Sequence, residues 1–215
     1  MRYSCLLGLG AAAIVAAQGM AAIVQIDVYG VVDFNVIQGS HAGIPSGSPV
    51  HMGFQVDSSI FTNSASFPTR GYSIDVASFN MQVGNALVLM DNPQPGPAYF
   101  VLRNNDPGVD GFFLSSNTDV FSPLDVHIPG LNPTHELDFH TTYPATTLSS
   151  LDILDAVGSY DLTGLSVYQW TIGRFGNPGA EYAYQRMTIS VVPAPAGAVL
   201  LAMAGIVGAR RRRSR

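Results

Sequence analysis

His135-Glu136-Leu137-Asp138-Phe139-His140 is the densest run of potential metal ligands and proton carriers in this 215-residue chain. Two histidines hold zinc from one helix face when they stand four residues apart with a glutamate after the first. Here the second histidine follows at the fifth position and Phe139 occupies the fourth. On a strand His135 and His140 point to opposite faces, so they do not share a metal. The same alternation sets Glu136, Asp138 and His140 in one solvent-facing row. Such a row suits a divalent cation, but an ordinary polar face is the expectation.

A second candidate is Asn104-Asn105-Asp106-Pro107-Gly108-Val109-Asp110-Gly111, with carboxylate and amide oxygens at alternate positions as a hard cation prefers. Gly108 stands where a third ligand belongs, and counting from Asp106 the twelfth position is Asn117, where an EF-hand needs a bidentate glutamate. The readings that remain are a looser calcium-binding turn and a plain hairpin turn. Asp152/Asp155 and Asp106/Asp110 are pairs of the kind used in glycoside hydrolysis, though spacing alone does not put either pair across a cleft. Gly43-Ile44-Pro45-Ser46-Gly47 has the wrong spacing for a nucleophile elbow. Tyr168, Trp170, Tyr182 and Tyr184 fit either a sugar-stacking face or core and cross-strand packing.

The elements that must position these groups are strands. Val24, Ile26, Val28, Val32, Phe34 and Val36 alternate with Gln25, Asp27, Asp33 and Asn35, with a bend or bulge expected at Gly30. Residues 39–49 are turn chemistry, and Val50, Met52, Phe54 and Val56 then form an inward row against His51, Gln55 and Asp57. Tyr72, Ile74 and Val76 alternate, after which the phase shifts to Phe79, Met81 and Val83, as a break near Ala77-Ser78 produces. The apolar run 86–90 is expected to be a central strand buried on both faces. Three prolines make 91–97 a loop. Residues 99–103 and 111–115 read as a hairpin, and 136–142 as a strand with Leu137 and Phe139 inward. Leu148 to Val157 is ambiguous between a short helix and a strand. Two late strands, 165–172 and 183–191, are separated by a turn at Gly176-Asn177-Pro178-Gly179. Short strands separated by turns, with no helical heptads and no fixed repeat, predict an all-β antiparallel β-sandwich or jelly-roll-like single domain.

Both ends differ from this middle. Arg2 followed by the apolar stretch Leu6 to Ala17 and small residues at Gly19, Ala21 and Ala22 has the form of a helical signal peptide over 1–22. Cys5, the only cysteine, falls inside it, so the mature domain is expected to have neither disulfides nor thiolate chemistry. At the other end Val192-Pro193-Ala194-Pro195 leads into an apolar run and then Arg210, Arg211, Arg212, Arg213 and Arg215. As a helix, Ala194 to Ala209 reaches only about 24 Å, short of the ~30 Å hydrocarbon core of a bilayer, and its arginines are expected to stay cytoplasmic. All ten basic residues are arginines and six lie in these end segments, so the middle sets four arginines against fifteen acidic residues, a net charge near −11. That excess leaves no cationic surface for nucleic acid.

The order Pro-x-Pro, short apolar segment, terminal arginine cluster resembles the PEP-CTERM sorting signal of exported bacterial proteins, with Ala194 where the usual motif has glutamate. The resemblance covers about the last two dozen residues. It implies recognition and removal of the tail by an exosortase in the inner membrane, in a Gram-negative-type bacterium that often makes extracellular polysaccharide. The expected organisation is therefore a signal peptide (1–22), a β-sandwich passenger (23–191) and a sorting and anchor segment (192–215) with a C-terminal apolar helix. The expected function is that of a non-enzymatic exported protein of the cell envelope or extracellular matrix, without a cofactor. Its expected partners are the exosortase and membrane through the tail, and extracellular polysaccharide. The rival readings are a secreted carbohydrate- or calcium-binding module and a secreted hydrolase.

Overall fold

A computed structural model describes residues 21–132, 134–174 and 177–193. The expected signal helix, Ala194, Pro195 and the arginine cluster lie outside the described residues. Among the described residues the chain is all-β, in eleven strands. These are β1 (Ile23–Asn35), β2 (Pro49–Asn63), β3 (Thr69–Val83), β4 (Ala86–Met90), β5 (Tyr99–Arg103), β6 (Val109–Ser115), β7 (Leu124–His127), β8 (His135–Pro144), β9 (Gly158–Asp161), β10 (Val167–Arg174) and β11 (Asn177–Val191).

Every pairing is antiparallel. The ladder runs β10-β11-β1-β2-β3-β4-β7-β8-β6-β5, and β10 also pairs with β8, so hydrogen bonding closes around the core. Two long strands make this closure by serving two neighbours each along one edge. The start of β3 (Thr69 to Ser73) pairs with β5, while Met81 to Val83 pairs with β4. In the same way β8 gives its first residues to β7 and its later ones to β6. Closure satisfies main-chain groups that an open edge would leave exposed.

Alternation predicts most inward faces correctly. Val24, Ile26, Val28 and Val32 are buried, as are Val50, Met52, Phe54 and Val56, and they pack with Tyr72, Phe100, Phe112, Phe139 and Trp170 in one cluster. Each large apolar side chain so buried contributes ~1.5–3 kcal/mol. The phase shift in β3 is a bulge: Gly53 faces Asn80 but Gln55 faces Asp75, so four residues of β3 oppose Phe54 alone. Ser78 holds it, its hydroxyl accepting from the Gln55 N–H at 2.8 Å and donating to the Asp75 carbonyl at 2.6 Å.

Four expectations are corrected. Phe34 and Val36 are 46% and 54% exposed, because register shifts at Tyr29/Gly30 and Val32/Phe34 end the alternation begun at Val24. β4 is one-sided rather than buried on both faces: Ala86, Val88 and Met90 face in, while Leu87 is 47% exposed. Residues 148–157 form neither helix nor strand. They are a chain of turns that plugs one end of the domain with Leu148, Ile153 and Ala156, fastened where the Tyr72 hydroxyl donates to Leu151 O (2.8 Å) and accepts from Ile153 N–H (2.9 Å). Finally, β11 already begins at Asn177, which pairs with Arg174, so Asn177 to Gly179 belong to the strand rather than to a turn. β7 and β9, four residues each, escape the periodicity reading because two apolar positions in β7 and one in β9 are too few to define a period.

Candidate functional site

On β8 the inward and outward rows fall as alternation requires. His135, Leu137, Phe139, Thr141 and Tyr143 are buried, and Glu136, Asp138, His140 and Thr142 are half-buried on the outer face. His135 and His140 are therefore on opposite faces and cannot share a metal. Nor does the outer row converge on one ligand. Gln169 of β10 lies opposite His140, Thr171 opposite Asp138 and Gly173 opposite Glu136. His140 leans to the other side, meeting the Phe121 ring edge-on at 4.9 Å. Burial, and then the Arg103 guanidinium, lower its pKa and keep the imidazole neutral. It lines a cavity of about 250 Å³ with Arg103, Phe113, Phe121 and Thr142, where Arg103 Nη2 donates to Thr142 Oγ1 at 2.7 Å. Among the described residues no three His, Cys, Asp or Glu side chains are placed to hold a metal ion.

The Asn104–Gly111 loop closes the β5–β6 hairpin, and Asp110 is its fastening. This carboxylate is fully buried; Oδ1 accepts the Asn105 N–H and Oδ2 the Leu148 N–H, both at 2.7 Å. Asp106 N–H donates to Val109 O at 2.9 Å, and Asn105 and Gly108 take positive φ, 56° and 81°, as a tight turn requires. The loop thus carries its own internal hydrogen bonds as a hairpin turn. Asp152 and Asp155 are likewise spent locally: Asp152 Oδ1 accepts the Leu154 N–H, and Asp155 Oδ2 accepts the Ser150 hydroxyl.

Three of the four aromatics proposed for sugar stacking are buried, with Trp170 at 1% and Tyr182 and Tyr184 at 2% exposure, whereas Tyr168 is 42% exposed. Tyr184 belongs to a buried hydroxyl chain: it donates to Tyr160 O at 2.7 Å and meets the Tyr143 hydroxyl at 3.0 Å. Burial pushes the Tyr160 phenol up to about 12 and raises Tyr184 further. Trp170 and Tyr182 are placed differently. The β10–β11 ladder stops at Thr171/Glu181, after which β10 continues along β8 while β11 runs between β1 and β9. Where the strands part, Trp170 and Tyr182 rings meet at 5.3 Å and Tyr168 and Tyr184 at 6.2 Å in place of main-chain bonds.

That parting opens a notch of about 310 Å³. Its lining brings together Asp33 of β1, Glu136 and Asp138 of β8, Glu181 of β11, the polar Gln169 and Thr171, and the three aromatics Tyr168, Trp170 and Tyr182. Burial, and then Glu136, raise the pKa of Asp138. Its Oδ2 takes only a long 3.5 Å contact from Gln169 Nε2. Among the described residues, Asp138 Oδ1, Trp170 Nε1 and Tyr182 Oη are buried and meet no hydrogen-bond partner. Comparison with protein-family models, curated proteins and solved structures finds no match. The chemistry of the notch must therefore be read from its own residues. Glu136 and Asp138 were visible in sequence as an acidic row, and Trp170 and Tyr182 as part of an aromatic one. Asp33 and Glu181 carried no signal, because only strand register brings them beside β10.

Proposed function

We propose that this chain is an exported protein of the cell envelope or extracellular matrix. In this reading a β-sandwich or jelly-roll-like passenger is sorted through its C-terminal tail by an exosortase system, and it acts by binding or scaffolding rather than by turnover. The observation that carries the reading is where the domain's two ends lie. β1 begins at Ile23 and β11 ends at Val191; the two pair as neighbours, with Val24 opposite Val191 and Val192 N–H donating to Ile23 O at 2.8 Å. The segment read as a signal peptide and the Val192-Pro193-Ala194-Pro195 motif are thus attached side by side at one rim. Removing both would break none of the strand pairings between Val24 and Val191. Ile23, Val157 and Val191, each more than 40% exposed, flank this exit, as suits a rim held close to a membrane while the apolar run and the arginines occupy it.

The test is the intact mass of the protein recovered from culture medium and from membranes. A released species beginning near Ile23 and ending near Pro193 is the expected result. A single membrane-bound species retaining Arg215 means that the tail only anchors, and overturns the sorting reading.

A further inference from the structure

Arg70 and Arg186 lie over the rings of Phe61 and Tyr29, at 4.2 and 4.4 Å. Arg103 is left differently. Among the described residues no ring lies on its guanidinium and no carboxylate oxygen comes within 4.0 Å of it. Its one hydrogen bond is the 2.7 Å contact from Nη2 to Thr142 Oγ1. Nε is sealed from solvent, whereas Nη1 is accessible and makes no bond. Gly111 stands between Arg103 and Thr142 in the sheet, opposite both. A Cβ there would lie 3.2 Å from Nη2, so the guanidinium crosses β6 at a position that carries no side chain. Arg103 and Thr142 both line the cavity of about 250 Å³, and the guanidinium is thereby presented on its floor.

Two turns held by their own hydrogen bonds complete the lining. The β5–β6 turn brings Asp106, and residues 116–122 bring Asp119 and Phe121. The second turn is fastened by Ser115, whose hydroxyl accepts the N–H groups of Asn117 and Ser122 at 3.0 Å each and donates to Val120 O at 2.9 Å. Thr69 Oγ1 ties it to β3, donating to Thr118 O at 2.6 Å. The Asp106 carboxylate is accessible and accepts no hydrogen bond among the described residues, and Asp119 Oδ1 takes only a 3.2 Å contact from Thr118 Oγ1. Phe113 and Phe121 meet edge-on at 6.2 Å and give the cavity an apolar side. With His140 neutral, Arg103 is the single cation in the lining. Opposite charges thus line one cavity on preformed turns without joining across it.

That arrangement selects a ligand by charge. A simple anion gains Arg103 but meets two carboxylates. A simple cation gains the carboxylates but meets Arg103. A neutral molecule leaves all three charges as they stand. A zwitterion answers both signs, its carboxylate matching the planar guanidinium and its ammonium lying toward Asp106 and Asp119. The space is just under the ~300 Å³ at which organic ligand pockets begin, so it suits one small molecule rather than a polymer segment. The two phenyl rings favour an apolar side chain on that molecule. We infer that this cavity binds a free α-amino acid with an apolar side chain, its carboxylate on Arg103 and its ammonium between the two aspartates. The site belongs to the folded domain and is independent of the fate of the tail.

Calorimetric titration of the full chain compares L-phenylalanine with N-acetyl-L-phenylalanine, which lacks the ammonium, and with L-phenylalaninamide, which lacks the carboxylate. L-phenylalanine should bind saturably, and each derivative about tenfold more weakly, the ratio that one lost charge-assisted hydrogen bond supplies. Arg103→Gln should abolish the penalty of amidation, and Asp106→Asn combined with Asp119→Asn should abolish the penalty of acetylation. Both aspartates stand on turns outside the buried core, so the double variant keeps the test decisive if Arg103→Gln perturbs the fold. No saturable binding of L-phenylalanine at millimolar concentration overturns the proposal. So does the acetylated compound binding as tightly as L-phenylalanine, since the cavity would then be a site for anions alone. An amide that binds as tightly overturns it too, because Arg103 would then contribute nothing.

Discussion

Asp110 is the residue on which the hairpin reading of the 104–111 loop stands, and its removal can be sized from the structure. The side chain is fully buried, and its two oxygens accept main-chain N–H groups from Asn105 and Leu148 at 2.7 Å. The second bond ties the β5–β6 hairpin to the start of the turns that plug the domain. Hydrogen bonds to a charged acceptor contribute ~1.5–3 kcal/mol each, and truncation leaves the Leu148 donor buried and unpaired, while Asn105 sits on an exposed turn. Asp110→Ala should therefore cost roughly 3–5 kcal/mol, a large share of the ~5–15 kcal/mol by which domains are stable. In a domain of this size that lowers Tm by roughly 6–20 °C. Asp110→Asn keeps one acceptor and turns an amide N–H toward the other donor, so about half the loss is expected. Urea unfolding followed by Trp170 fluorescence measures both variants. The same reasoning predicts that millimolar calcium leaves the wild-type Tm where chelator leaves it, because both oxygens are already committed. An Asp110→Ala loss below about 1 kcal/mol refutes the fastening role. A calcium-dependent rise in Tm that disappears in Asp110→Asn restores the cation-binding loop.

Two further predictions test the core. A Cβ at Gly30 would lie 2.8 Å from Cζ3 of Trp170 and closer still to the Ala183 carbonyl. Both neighbouring ladders hold the backbone there, so Gly30→Ala should cost ~1–3 kcal/mol and shift Trp170 emission. Gly158→Ala, where a Cβ meets nothing within 4 Å, should be near neutral on the same melting curve. His41 is fully buried, and its pKa is lowered first by burial and then by His135. A histidine held neutral when folded, but protonated more readily when unfolded, supports the fold above its unfolded pKa and loses that support below it. Stability should therefore fall as pH drops below about 6.5, with a shallower fall in His41→Gln. An equal slope in both proteins would remove His41 from the account.

The strand rows were legible because alternation is a local property. Val50, Met52, Phe54 and Val56 needed only their spacing to be assigned inward, and so did Leu137 and Phe139. The same rule separated His135 from His140. Alternation fails where a partner strand intervenes: Phe34 and Val36 turn outward because β11 shifts register against β1, which nothing in residues 23–36 announces. The plug at 148–157 was ambiguous for a related reason, since its conformation is held by hydrogen bonds from Tyr72 and Asp110, each more than thirty residues away.

By itself the sequence determined an all-β, acidic, cysteine-poor middle between two apolar ends of opposite placement, because composition and period-two patterning act over a few residues. Which carboxylates share a surface was decided only in three dimensions. Asp33, Asp138 and Glu181 come together because β1, β11, β10 and β8 lie side by side. Trp170 and Tyr182 become the wall of a notch because β10 leaves β11 to close against β8. Long-range strand register is set by the whole core at once, and no short window of sequence contains it.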